Sequence, residues 1–308
     1  MISRRNIRIK VFQTIYELGQ QFDEVDKHLP SKVLDEKIRE TSALLAAVTH
    51  LMFLLSEYVL IHANQKASKY TATKDDLNVN KKLAGNIIIQ QLKKNNSFAD
   101  SVKAAKVASL FEDEMIKQLF QTLLESDEYK RYLLSEERTA QSEKEILQFI
   151  LSKCIFSNEV ASGFLSEKYL SWYNDIDMIE AWMDKILSSA PSFNFNKLIS
   201  ADKLEFSHEL LKVYYEKKEV IFTLIEPKLV NWDADRVALI DLILLHLGIC
   251  EMLYFNTIPV KVTINEYIDL AKSYSTLQSG QFVNGLLDNV HKDLVKENKL
   301  HKEAFTKK

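Results

Sequence analysis

Residues 232–288 read WDADRVALIDLILLHLGICEMLYFNTIPVKVTINEYIDLAKSYSTLQSGQFVNGLLD, and the fold is decided there. From Val237 to Phe255 only Asp241, His246, Gly248 and Glu251 interrupt the apolar residues, a stripe too broad for a helix with one wet face. This predicts a central, mostly buried helix. Asp233 is a good N-cap type and Asp235 puts an anion where the helix dipole favours one. Asn256 to Pro259 ends the helix, because proline cannot continue it. A second helix is expected to open at Thr263-x-x-Glu266, the spacing of a reciprocal hydroxyl–carboxylate cap. Ile264, Ile268, Leu270 and Ala271 supply its inner face. Ser279 is expected to cap a third helix, whose apolar positions are Phe282, Val283, Leu286, Leu287, Val290 and Leu294. Gly285 interrupts that stripe. A mid-helix glycine costs about 1 kcal/mol against alanine, so its presence predicts a close backbone approach.

Working outward, 308 residues with 46% hydrophobic content are enough for one large or two modest packed domains. Six glycines and four prolines are few, and no proline falls between Pro30 and Pro191. The middle of the chain therefore lacks the punctuation of a β-rich fold, and an all-α protein is expected. Cys154 and Cys250 lie far apart in apolar helical contexts, which predicts buried reduced thiols in a cytoplasmic protein. No apolar run resembling a signal peptide follows the first arginines, and no uncharged stretch approaches a bilayer-spanning length, so no membrane association is expected.

Ile9, Phe12, Ile15 and Tyr16 form a helical stripe that docks the first helix, flanked by Arg4, Arg5, Arg8 and Lys10. Gly19 and the polar run at 20–23 end it. Residues 31–64 return to helical periodicity, with Leu34, Ile38, Leu45, Val48, Met52, Leu55 and Val59 near one face. Lys66 to Asn80 is polar and turn-like. Amphipathic segments follow at 83–92, 98–124, 143–156 and 176–187. A connection at 190–203 leads into a helix over 205–229. The expected division is an N-terminal basic helix at 1–18, an added helical lobe at 19–203, a C-terminal helical core at 204–298, and a basic tail at 299–308.

Formal charge is uneven along the chain. Residues 1–10 carry +4 and residues 291–308 carry +3, leaving −10 on the remainder of a chain whose net charge is −3. Basic ends on an acidic body steer a polyanion to the ends. Motifs for chemistry are absent: no phosphate-binding glycine loop, dinucleotide fingerprint, H-E-x-x-H or paired C-x-x-C occurs. Glu205-x-x-His208 and Asp288-x-x-His291 have the spacing of half a di-iron motif without the further carboxylates it needs. Neither a metal, a cofactor nor a catalytic residue is expected.

The order and spacing of I-P-V-K-V-T-I-N-E (258–266), L-A-K-S-Y (270–274) and F-V-N-G-L-L-D (282–288) resemble the C-terminal half of the NusB transcription antitermination family. Arg4-Arg5 ahead of a helix ending Ile15-Tyr16 is similar to the family's basic opening. The resemblance covers about a third of the chain. It implies a non-enzymatic factor that binds single-stranded boxA-like RNA together with the ribosomal protein NusE, acting on the transcription elongation complex during ribosomal RNA synthesis. Carried over by position, it implies RNA contacts at Arg4, Arg5, Arg8, Gln278, Gln281 and Phe282, and partner contacts at Tyr16 and Asp241. The family often has an acid where Gln278 stands and a lysine where Gln281 stands, so the grip of this second segment is altered. Phe282 also fits the apolar core stripe, Tyr16 a half-buried core position, and Asp241 an intramolecular ion pair. Asn265 and Glu266 fit helix capping. The alternative reading of the whole is a helical protein-interaction adapter that has lost RNA recognition.

Overall fold

The computed structural model describes residues 2–21, 28–229 and 237–303. Within them all regular structure is helical. Helices α1 (Arg4–Gln21) and α2 (Leu29–Ala67) open the chain. Shorter helices follow: α3 (Lys74–Leu77), α4 (Ile87–Lys93), α5 (Asn96–Ala104), α6 (Asp113–Glu125), α7 (Asp127–Leu134), α8 (Ala140–Phe149), α9 (Glu159–Lys168) and α10 (Trp172–Ser189). The last four are α11 (Ala201–Ile225), α12 (Leu239–Tyr254), α13 (Val260–Tyr274) and α14 (Leu277–Lys296). The chain forms two compact units, one of Met1–Lys37 with Ile199–Lys308 and one of Ile38–Leu198. The residues expected to begin the lobe, 19–37, fall with the first unit.

In the first unit α12 is the central helix, packed by α1, α11, α13 and α14, and every residue from Ile243 to Met252 is buried. Its apolar breadth comes from having neighbours on all sides. Gly248 permits the tightest of these contacts. A Cβ there would meet the Leu287 methyls at 3.0 and 3.2 Å and the Tyr267 ring at 3.4 Å. The close approach expected at Gly285 is not found: that residue is exposed with no atom within 4 Å of a Cβ position. At 100° per residue it sits beside the buried stripe of Val283, Leu286, Leu287, Val290 and Leu294 rather than in it.

Two caps also differ from expectation. Helix α14 is capped by Thr276, whose Oγ1 accepts from Ser279 N at 3.1 Å. Helix α13 begins at Val260, so Thr263 and Glu266 lie inside it, and neither is a capping residue. Asp233 and Asp235 lie outside the described residues. At the other end of α12, Lys302 Nζ donates to the carbonyls of Glu251 (3.0 Å) and Phe255 (2.8 Å), satisfying acceptors that a helix C-terminus leaves open. His246 is buried on the α11 side between the rings of Tyr214 and Phe222, and burial followed by the nearby Lys218 lowers its pKa to about 4. Both cysteines are free and buried, with burial raising each thiol to about 12.

The second unit is held by the continuation of α2. The stripe from Ile38 to Val59 is buried, and Thr41, Thr49 and Tyr58 touch Asp175, Met183 and Phe120 on α10 and α6. Residues 41–56 carry no charged side chain. The helix contains an 18-residue window of mean hydropathy 1.9, apolar and long enough to cross a membrane, although 67% of that window is buried inside the fold. Glu40 and Glu57 bound the uncharged run, so no wholly uncharged stretch there reaches a bilayer-spanning length. Elsewhere asparagines fix the short helices. Asn86 caps α4 while donating to Glu143 O at 2.8 Å, and Asn95 caps α5 while donating to Ala190 O at 2.8 Å. Buried Glu143 accepts from the Tyr132 hydroxyl (3.0 Å) and Ile87 N (2.9 Å) and pairs with Arg138 (3.1 Å). The segment expected at 143–156 is α8 continued by a π-helical stretch over Ile150–Phe156.

Candidate nucleic-acid interface

The first helix is anchored by its third arginine. Arg8 is 2% exposed and forks onto Glu251 of α12, with Nε to Oε2 at 2.8 Å and Nη2 to Oε1 at 2.7 Å. Thr263 and Tyr267 of α13 donate their hydroxyls to the same carboxylate, at 2.7 and 3.3 Å. Burial acts to lower the Arg8 pKa, but the bonds and charge of Glu251 outweigh it and raise the value. The expectation that Arg8 contacts RNA is therefore corrected. Its guanidinium is enclosed and its donors are committed to a bidentate pair. Lys10 is buried as well, so the N-terminal cations at the surface are Arg4 and Arg5.

These two arginines flank a built surface. Arg4 and Arg8 both lie 5.7 Å from the centre of the Phe206 ring, which meets Phe255 edge-on at 5.2 Å. The start of α1 is thus fixed beside the C-terminal end of α12. Arg5 is 41% exposed and lies 3.8 Å from Glu266 and 3.9 Å from Asp269 of α13. Asp269 lies 3.8 Å from Lys272, whose aliphatic stem crosses Gly280 of α14 with Cγ 2.7 Å from where a Cβ would stand. A continuous line of contacts therefore links Arg5 to the first turn of α14. There Gln278 and Gln281 are exposed and Phe282 is half-buried.

Tyr16 lies eight residues beyond Arg8 on α1, about 12 Å along that helix, and Asp241 lies ten residues before Glu251 on α12, about 15 Å along that helix. Tyr16 is 36% exposed and packs on Phe12, with ring centres 6.1 Å apart. Asp241 is 5% exposed, and its Oδ1 has no hydrogen-bond partner among the described residues. The ion pair expected for it is not seen there. His208 of the Glu205-x-x-His208 spacing contacts Asp35 at 3.0 Å. No group of three metal-binding side chains comes together among the described residues.

Glu251 is the organising residue that sequence reasoning passed over. Its one visible signal is a lone acid near the end of an apolar run, facing a chain that has an arginine pattern in its first helix.

The sequence profile of the NusB family matches residues 173–292, which span α10 but for its first residue, α11 to α13 and most of α14. Over 101 residues the chain is 46% identical to the transcription antitermination protein NusB of Methylacidiphilum infernorum (isolate V4), covering 33% of this chain and 70% of that protein. The chain belongs to the NusB family. It is 40% identical over 94 residues to the NusB of Finegoldia magna, covering 30% and 69% of the two chains, and 38% identical over 102 residues to that of Desulfatibacillum aliphaticivorans, covering 33% and 71%. No solved structure matches the chain. The NusB profile leaves residues 1–172 unmatched, so most of the second unit is an expansion beyond the family's shared part.

Proposed function

We propose that this NusB-family chain is a non-enzymatic, cytoplasmic transcription antitermination factor. It binds boxA-like single-stranded RNA together with the ribosomal protein NusE, within the elongation complex that transcribes ribosomal RNA. One observation carries the reading: Arg5, next to exposed Arg4 at the start of α1, connects through Asp269 and Lys272 to the exposed polar first turn of α14. Arg4 and Arg5 contact phosphates, and Gln278 and Gln281 present amides to unpaired base edges. Phe282 stacks on a base or supports the turn from below. The acids beside Arg5 are no obstacle, since pairs at this distance and exposure are worth about 0–1 kcal/mol. Arg8 acts as a positioning residue by fixing α1. Tyr16 and Asp241 form the contact with NusE.

The test is titration of labelled boxA-like and scrambled RNAs at several salt concentrations, with and without NusE. Each single-strand phosphate contact contributes about 0.7 to the salt slope, so Arg4→Gln with Arg5→Gln is expected to flatten it by roughly 1.4. Loss across many RNA sequences is expected, because phosphate contacts position the chain without reading bases. An unchanged slope in the double variant, or a wild-type slope near zero, would sink the assignment. The adapter reading would then stand, favoured by the internal use of Arg8 and Lys10.

A further inference from the structure

The second unit has its own charge segregation. Residues 66–106 carry nine lysines against three aspartates, a net +6, whereas the rest of residues 38–198 sums to −8. The stretch runs from the end of α2 through α3, α4 and α5. Most of its charge is left open. Lys74, Lys81, Lys94, Lys103 and Lys106 are exposed and make no ion pair among the described residues. Lys66 and Lys69 share a single carboxylate, that of Asp76, at 3.5 and 3.0 Å.

At one end of this stretch α6 adds Lys117, whose ammonium lies 3.2 Å from exposed Glu114, and Lys66, Lys69 and Lys117 line an open slot of about 230 Å³ with Tyr58, His62 and Phe120 beside them. His62 packs on Phe120 with ring centres 5.4 Å apart. Its pKa is lowered first by burial and then by the charges of Lys66 and Lys69, with Asp76 acting the other way. Tyr70, between Lys69 and Lys74 in sequence, is fully exposed and has no packing partner among the described residues. Lysines that can contact phosphates, with an exposed ring next to Lys69 in the sequence that can stack on a base, are the two components of a sequence-tolerant single-strand site. An acidic protein would be held by the lysines but leave Tyr70 without a role.

We infer that the second unit carries a second single-stranded RNA contact, made by Lys66, Lys69 and Lys117 at the slot and by Tyr70 through base stacking. It extends the RNA tract held by the protein beyond the segment bound through Arg4 and Arg5. The inference rests on the RNA-binding reading above for its choice of polyanion.

The full-length protein is titrated with a boxA-like RNA of about 12 nucleotides and with the same RNA carrying flanks of about 16 nucleotides, the upper range of single-strand site sizes. The triple variant Lys66→Gln, Lys69→Gln, Lys117→Gln is expected to bind the short RNA as wild type does. On the long RNA its salt slope is expected to fall by roughly 2. Tyr70→Ala, a fully exposed position with no folding role, is expected to weaken the long RNA about tenfold without changing the slope. Flanks that add no affinity in the wild type, or lysine and tyrosine variants that bind the long RNA unchanged, overturn the inference while leaving the α1–α14 reading intact. Long-RNA binding lost in the lysine variant but kept in Arg4→Gln with Arg5→Gln supports it and removes the α1–α14 reading instead. Flotation with vesicles of phosphatidylserine and phosphatidylcholine is the control. Lysine-dependent vesicle binding without lysine-dependent RNA binding overturns the inference in favour of a membrane surface.

Discussion

Arg8 shows how a residue that reads as functional becomes structural. An arginine one turn after Arg4 in a basic opening has every mark of a surface cation, and the group that decides otherwise lies 243 residues later. Local periodicity carries no information about such a partner. Removing one side of a buried pair leaves the other charge without compensation, at a cost of about 3–5 kcal/mol. Arg8→Gln is therefore expected to lower the urea midpoint sharply. Arg8→Met with Glu251→Gln, which keeps an acceptor for Thr263 and Tyr267, is expected to cost less than the sum of the two single changes. Additive losses in that cycle would mean that the two side chains do not depend on each other. His246 gives a pH counterpart. Its folded pKa of about 4 lies below the ordinary 6.5, so between those values the unfolded chain binds the extra proton. Stability is then complete above pH 6.5 and falls as pH drops toward 4, by roughly 3 kcal/mol from this group. His246→Leu is expected to flatten that acid limb in melts followed from pH 7 to pH 4, and an unaltered limb would place the imidazole in water.

At the scale of the helices, sequence and structure agree where periodicity is long and part where a single residue must be placed. The breadth of the apolar run in α12 was readable because a helix buried on all sides has no polar stripe to preserve. The helix starts were less readable. Thr263-x-x-Glu266 has the spacing of a cap, yet Pro259 starts α13 one turn earlier and frees both side chains to face Glu251, Arg8 and Arg5. Which glycine admits a neighbour was also hidden, since Gly248 and Gly285 each interrupt an apolar segment and only the packing distinguishes them. Their substitutions are expected to have opposite signs. Gly285→Ala adds helix propensity at an open position and is expected to stabilise by about 1 kcal/mol. Gly248→Val forces its branches into the Leu287 and Tyr267 contacts and is expected to destabilise by about 1–3 kcal/mol. Thermal melts of the two variants read both signs, and equal shifts would contradict the packing of α12 against α14.

For the whole molecule, an all-α class could be read from the scarcity of proline and glycine, and family membership from three spaced motifs, but the extent of each unit could not. The lobe's short helices escape periodicity analysis because α7 and α9 are eight and ten residues long and are fixed by contacts distant in sequence. Those contacts lie within the second unit itself. Asn95 ties α5 to the connection after α10, Asn86 and Glu143 tie α4 to α8 and α7, and Tyr58, Phe53 and Thr49 tie α2 to α6, α5 and α10. A segment that ties its short helices together through its own buried polar groups and encloses its own apolar side chains meets the condition for independent folding, even though the Tyr129 and Ser171 hydroxyls find no partner among the described residues. Residues 38–198 expressed alone are therefore expected to be helical by circular dichroism and to unfold in one cooperative urea transition. Glu143→Ala in that fragment is expected to lower the midpoint, because it removes the acceptor of the Tyr132 hydroxyl and the Ile87 amide together. A fragment that keeps its helicity but binds hydrophobic dye and melts without cooperativity would show that its core is incomplete. The second unit would then be a dependent extension of the NusB-family core.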